Sequence, residues 1–107
     1  MIGLIIRARV EPYQRYELMQ MFKEISRPDQ IPLACLERRI YEESDMPINL
    51  LLVEQWSEKA ALNSHLSSDQ FRALIGAVKV LGKLVDVRIF EATSIQDLLI
   101  RLKAEAC

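Results

Sequence analysis

The chain holds a single histidine, His65, and with it a single side chain whose unperturbed pKa lies near neutrality. Such a group can act as a general base near neutral pH, taking a proton from a hydroxyl within hydrogen-bond reach. The competing reading is a half-exposed histidine that ends a short helix, its ring packed against Trp56 or Phe71. Upstream, Glu54 and Trp56 alternate along an apolar run and share a strand face with Leu52. Trp56 would wall a flat aromatic-binding cavity, and Glu54 would bond a substrate hydroxyl or orient His65. Equally, a lone Trp at a strand end is core with its indole N–H satisfied locally, and a buried Glu54 needs a cation, for which Arg7, Arg9 and Arg88 on neighbouring strands are available. Tyr16 and Phe22 cluster with Tyr13, Met19 and Met21 on the first helical segment. They would line a pocket between helix and sheet, a tyrosine hydroxyl positioning a planar substrate, or else form ordinary core in which Met fills gaps.

The remaining reactive residue types carry less. Cys35 and Cys107 are far apart and lack metal-ligand spacing, so neither a disulfide framework nor a metal site is expected, and Cys35 reads as structural. Arg38 and Arg39, between Glu37 and Glu42, read as a cross-strand charge ladder on a solvated edge. With 14 basic and 15 acidic residues interspersed, the chain has no field to attract phosphate backbones, which argues against nucleic acid as a partner. Its longest apolar runs, residues 50–53 and 2–6 across Gly3, are too short to span a bilayer. The first residues lack a charged start and a small-residue cleavage site, so no membrane association is expected and the expected location is cytoplasmic.

These residues must be positioned by a small set of elements, since 107 residues build one modest core. Residues 2–10 alternate as a strand, with Ile2, Leu4, Ile6, Ala8 and Val10 on one face. Leu18, Met21, Phe22 and Ile25 form a helical stripe over residues 13–25. Residues 33–43 are extended, and Ser44 to Pro47 supply turn chemistry. Residues 48–56 are apolar at consecutive positions, which calls for burial on both strand faces. Ser57 is placed to cap a short helix through Ala60, Ala61 and Leu62, and Ser67 to Gln70 have the form of a capping box for a second helix with the stripe Phe71, Leu74, Ile75, Val78 and Leu81. Residues 84–92 make a fourth strand, and Ser94 caps an amphipathic tail with Ile95, Leu98, Leu99 and Leu102.

The order β-α-β-β-α-β plus a tail helix is that of an α+β, ferredoxin-like sandwich with an antiparallel four-stranded sheet. Helices on one face would leave the other apolar face bare, so a homodimer joined through its sheet faces is expected, with the tail helix as an added contact. The expected division is a domain over residues 1–94 and a helical extension over 95–107.

Residues 53–71, VEQWSEKAALNSHLSSDQF, resemble the antibiotic biosynthesis monooxygenase (ABM) family, in which Glu-x-Trp after an apolar strand is followed by a short helix with Ala-Leu, a His, a Ser-containing turn and a Phe. The resemblance implies a dimeric α/β barrel of ferredoxin-like protomers. It also implies one of several activities, because the family mixes cofactor-free quinol and polyketide oxygenases, heme-degrading enzymes and isomerase-like sugar-phosphate processors. Heme-degrading relatives usually place an iron-coordinating His where this chain has Ile75, a Trp at the position of His65, and an Asn near Arg7 or Ala8, so heme chemistry is disfavoured. Ala34 replaces the Gly that many relatives have before the position of Cys35.

The expectation that follows is a cofactor-independent monooxygenase acting on a quinol or polycyclic phenol. His65 would be the base, and Trp56, Glu54, Phe71, Tyr16 and Phe22 would contact a small aromatic ligand, with no cofactor and no metal. The alternative is a non-catalytic ligand-binding or stress-response module of the same fold. A sugar-phosphate isomerase-like enzyme ranks behind both, since only Arg7 and Arg9 would offer its phosphate a basic pocket.

Overall fold

Strand β1 (Ile2–Arg9) lies in the interior of the sheet, where it pairs antiparallel with both β3 (Asn49–Trp56) and β4 (Lys83–Glu91). Strand β2 (Cys35–Glu42) adds to the far side of β3, giving the order β2-β3-β1-β4. Helices α1 (Pro12–Ile25), α2 (Lys59–Leu66) and α3 (Asp69–Leu81) complete the expected α+β, ferredoxin-like fold. The computed structural model describes residues 1–43, 49–91, 96–97 and 99–100. The Ser44 to Pro47 turn and the 94/95 boundary lie outside the described residues. So does most of the tail, Ile95, Leu98 and Leu102 included, although Gln96, Asp97, Leu99 and Ile100 are helical.

Alternation decides which side chains meet the helices. Leu4, Ile6 and Ala8 of β1 and Leu50, Leu52 and Trp56 of β3 face Leu18 and Phe22 of α1, Leu62 of α2 and Leu74 and Val78 of α3 in one buried cluster. Every residue of β3 is buried, as its consecutive apolar positions require. On the opposite face Ile5, Leu51 and Val53 form a second buried cluster, with Tyr41, Phe90 and Leu99 packed against it. The face expected to be bare is thus partly covered by the chain's own tail. Around it run ion pairs from Arg7 to Glu43 at 2.9 Å and to Asp86 at 3.7 Å, with Arg88 3.5 Å from Asp86.

Local signals place the ends of the helices, with two corrections. Pro12 opens α1, where its missing N–H costs no hydrogen bond. Helix α2 begins after Glu58 with no side-chain cap, so Ser57 does not play the part expected of it. Ser68, one residue after the expected Ser67, caps α3 by accepting from the Phe71 N–H at 3.1 Å. Gln70 donates instead to the Gln30 carbonyl, which leaves no reciprocal capping box. Strand β4 carries a bulge opposite Arg7 and Ala8, so that Leu84 rather than Val85 joins the helix-side core.

Gly82 ends α3 and turns the chain directly into β4. A Cβ there would stand 2.4 Å from the backbone oxygen of Arg9, a contact no rotamer relieves. Gly82→Ala should therefore lower stability by about 1–3 kcal/mol through overpacking, read as a lower urea midpoint with the slope unchanged. An unchanged midpoint would mean that the end of β1 moves aside freely.

Candidate functional site

The site grows from one buried carboxylate. Glu54 lies on the helix-facing side of β3 with no solvent exposure, directly across from Arg38 of β2. The guanidinium Nε stands 2.5 Å from Glu54 Oε2, with the two side chains 1% and 0% exposed. Arg38 Nη1 also donates at 2.6 Å to the carbonyl of Ile25, the last residue of α1, so the cation satisfies an orphan carbonyl at the negative end of the helix dipole. The partner of Glu54 is therefore neither Arg7, Arg9 nor Arg88, and Arg38 is not on a solvated edge. Arg39 alone keeps the expected exposed position, paired with Glu37.

A bulge accounts for the difference. Cys35 pairs with Trp56 and Glu37 with Gln55, which leaves Leu36 unpaired and 55% exposed. Strict alternation would put Cys35 and Arg38 on opposite faces; the extra residue puts both on the helix side. Cys35 is buried there, and burial together with the negative charge of Glu54 pushes its thiol up to about 11. At neutral pH it is protonated and a poor nucleophile.

The other carboxylate oxygen faces two aromatic rings. Trp56 Nε1 donates to Glu54 Oε1 at 3.0 Å, and His65 Nε2 lies 3.8 Å from the same oxygen, beyond hydrogen-bond reach. The His65 ring stacks at a tilt on Trp56, centroids 4.7 Å apart, and meets Phe71 edge to face at 5.5 Å. His65 is 6% exposed, and its Nε2 is a buried nitrogen without a hydrogen-bond partner. Burial lowers its pKa below 6.5, with the Arg38 cation acting in the same direction and Glu54 opposing. At pH 7 the imidazole is neutral.

Ser68 sets the spacing of His65 and Phe71. Its hydroxyl donates to the His65 carbonyl at 2.6 Å while accepting from the Phe71 N–H, pinning the end of α2 to the start of α3. Glu54, Trp56, His65 and Phe71 are thus brought together. Tyr16 is not: it stands on the outer side of α1, 73% exposed. Phe22 is a fully buried core side chain with no surface to offer a ligand. Arg7 is engaged by Glu43 and Asp86, and Arg9 Nε reaches Asn49 at 3.4 Å, so the first strand presents no open basic pocket. The participant that sequence reasoning missed is Arg38, whose inward turn depends on a bulge that alternation conceals.

A family model described as antibiotic biosynthesis monooxygenase matches residues 1–77. The chain belongs to the ABM family. Solved structures agree on the fold. A Deinococcus radiodurans protein provisionally named as an antibiotic biosynthesis monooxygenase superposes with a TM-score of 0.78 at 21% identity, covering 88% of this chain and 94% of its own. A conserved protein from Methanosarcina mazei gives 0.73 at 21%, covering 86% and 92%. Rv0793 from Mycobacterium tuberculosis gives 0.71 at 22%, covering 87% and 95%. No curated protein matches the chain. Membership makes this ABM domain a monooxygenase-like or small-molecule-binding module. No helix among its described residues is long and apolar enough to cross a membrane.

Removing one partner of a buried ion pair strands the other charge, whereas removing both can cost little. Arg38→Met should destabilise the domain by about 3–5 kcal/mol, and Arg38→Met with Glu54→Met by less than the single change. Urea unfolding of Arg38→Met, Glu54→Met and the double variant tests this, and a double variant as unstable as the sum of the two single changes would show that the pair is not coupled.

Proposed function

We propose that this ABM domain is a small cofactor-independent monooxygenase that oxidises a quinol or polycyclic phenol, with His65 as its general base. The observation that carries this reading is His65 Nε2: a buried nitrogen without a hydrogen bond, on a ring held neutral by burial and flanked by Trp56 and Phe71. Such a nitrogen offers its lone pair to a hydroxyl proton, and the flanking rings offer flat apolar walls to the ring that bears the hydroxyl. Glu54, 3.8 Å away, stabilises the imidazolium once it forms.

The chemistry balances without an added cofactor. His65 takes the hydroxyl proton, and the anion gives one electron to dioxygen. The two radicals combine at a ring carbon bearing hydrogen, and the resulting peroxide anion takes the proton back from the imidazolium to give a hydroperoxide. Loss of water, carrying away that ring hydrogen, leaves a carbonyl. One oxygen atom enters the product and the other leaves as water.

Oxygen uptake with a panel of hydroquinones and hydroxynaphthalenes is the test. We expect consumption above the autoxidation rate, reduced in His65→Ala by about 10²–10⁴-fold. Retained turnover in the variant would leave His65 a structural role. Because burial lowers the His65 pKa, the neutral base persists as pH falls through 6.5, so the acid limb of kcat/KM should lie below that value. A limb above 6.5 would point to another group.

The depth of His65 and Glu54 favours a second reading, a ligand-binding or stress-response module without turnover in which the four residues form a structural polar cluster. Ligand binding without oxygen uptake by the wild-type protein would select it.

The assembly proposed for either reading is a homodimer whose sheets meet on the side of Ile5, Leu51 and Val53, with Tyr41, Phe90 and Leu99 at the interface. A second copy would remove the half-buried apolar side chains at this site from water. Sedimentation at micromolar concentration should give a dimer; a monomer would refute this arrangement.

A further inference from the structure

A groove of about 340 Å³ runs between the end of α2 and the flank of α3, lined by Leu66, Phe71, Arg72, Ile75, Gly76 and Lys79. Gly76 stands in the middle of α3, where glycine weakens a helix relative to alanine. Nothing in the packing of the described residues requires it: its φ is not positive, and beyond the adjoining helix backbone a Cβ there would meet nothing within 4 Å. What the missing side chain leaves is open room in the groove wall. Leu66, Phe71 and Ile75 make the groove apolar, and Arg72 and Lys79, two helical turns apart on one flank, make its rim cationic. The Arg72 side chain is 73% exposed and, among the described residues, its one ion pair is with Asp69 at 3.7 Å, while Lys79 has none.

We propose that this groove binds an anionic aromatic ligand. Its flat body lies on Phe71 and Ile75 in the space beside Gly76, and its acid group lies between Arg72 and Lys79. The net charge of the chain is −1, so this local pair of cations is not the edge of a general positive field, and its placement above an apolar floor selects one ligand chemistry. The inference deepens the functional reading and rests on it in one respect: Phe71 is a wall common to the groove and to His65, so the substrate becomes a phenol that carries an acid group.

The experiment compares 1-hydroxy-2-naphthoate with 1-naphthol, which lacks the carboxylate, by isothermal titration under anaerobic conditions with the full chain. The carboxylate should tighten binding about ten-fold at low salt. This advantage should shrink as salt is added and disappear in Arg72→Glu with Lys79→Glu. Gly76→Leu, which fills the open room, should weaken both compounds. Equal affinity for the two compounds, an advantage that survives the charge reversal, or binding of neither would overturn the proposal. Thermal melting followed by circular dichroism verifies that each variant is folded, and the two kinds of variant test the site independently. His65→Ala separates this inference from the catalytic one: it should keep the carboxylate-dependent binding, so loss of oxidation with binding intact concerns the base alone, while loss of the carboxylate advantage in the wild-type protein concerns the groove alone.

Discussion

The buried carboxylate of Glu54 is the constraint on which the local architecture depends. A charge removed from water must be paired, and both oxygens have a partner: Oε2 stands against the Arg38 guanidinium as an ion pair, and Oε1 accepts the Trp56 indole hydrogen bond. Pairing with Arg38 requires a cation inside the helix-facing layer, and that in turn requires strand β2 to bulge at Leu36. Once inside, the guanidinium reaches the carbonyl end of α1 as well. Two strands, the end of one helix and the rings against α2 are thereby referred to a single charged pair. Apolar packing of similar volume can serve net stability as well as such a pair does, whereas removing one partner alone strands the other charge.

The parts of the fold that follow from simple periodicity were legible in the sequence. Consecutive apolar residues in β3 announced burial on both faces, and the stripes Leu18 to Ile25 and Phe71 to Leu81 announced their helices. What escaped was each place where one residue interrupts a period. The Leu36 bulge reverses the facing of Arg38, the Val85 bulge does the same for Leu84, and the cap of α3 falls on the second of two adjacent serines. A bulge has no composition of its own. It is set by pairing between distant strands, and so the true partner of Glu54 was hidden while the need for a partner was plain. In the candidate site, His65, Trp56, Glu54 and Phe71 could be named from sequence, but Tyr16 could not be separated from them because α1 has aromatic residues on more than one side.

The second sheet face illustrates how a single requirement admits more than one solution. Ile5, Leu51 and Val53 are too large to leave in water, at roughly 1.5–3 kcal/mol each. The chain itself already meets that requirement for these three, which are 0%, 6% and 0% exposed, with Leu99 among the side chains packed against them. What stays half-buried on this face is Tyr41, Phe90 and Leu99, beside the ion-paired charges of Arg7, Glu43, Asp86 and Arg88. The second copy proposed above would cover these same side chains.

The same burial that suits His65 to accept a proton also restricts what can reach it. An exposed imidazole would be partly protonated near neutrality; burial, to which the contacts with Trp56 and Phe71 contribute, lowers the pKa of this one and favours its neutral form. Access then depends on which of these walls can move. Trp56 is held by its hydrogen bond to Glu54 and by complete burial at the end of β3. The backbone on either side of the corner is held by Ser68, which bonds the His65 carbonyl and the Phe71 N–H at once. The Phe71 ring is the remaining element: half-buried, next to the groove, and free of any polar bond through its side chain. Phe71 is thus the one side chain that borders both the groove and the imidazole, so on the catalytic reading the path from groove to base runs past its ring.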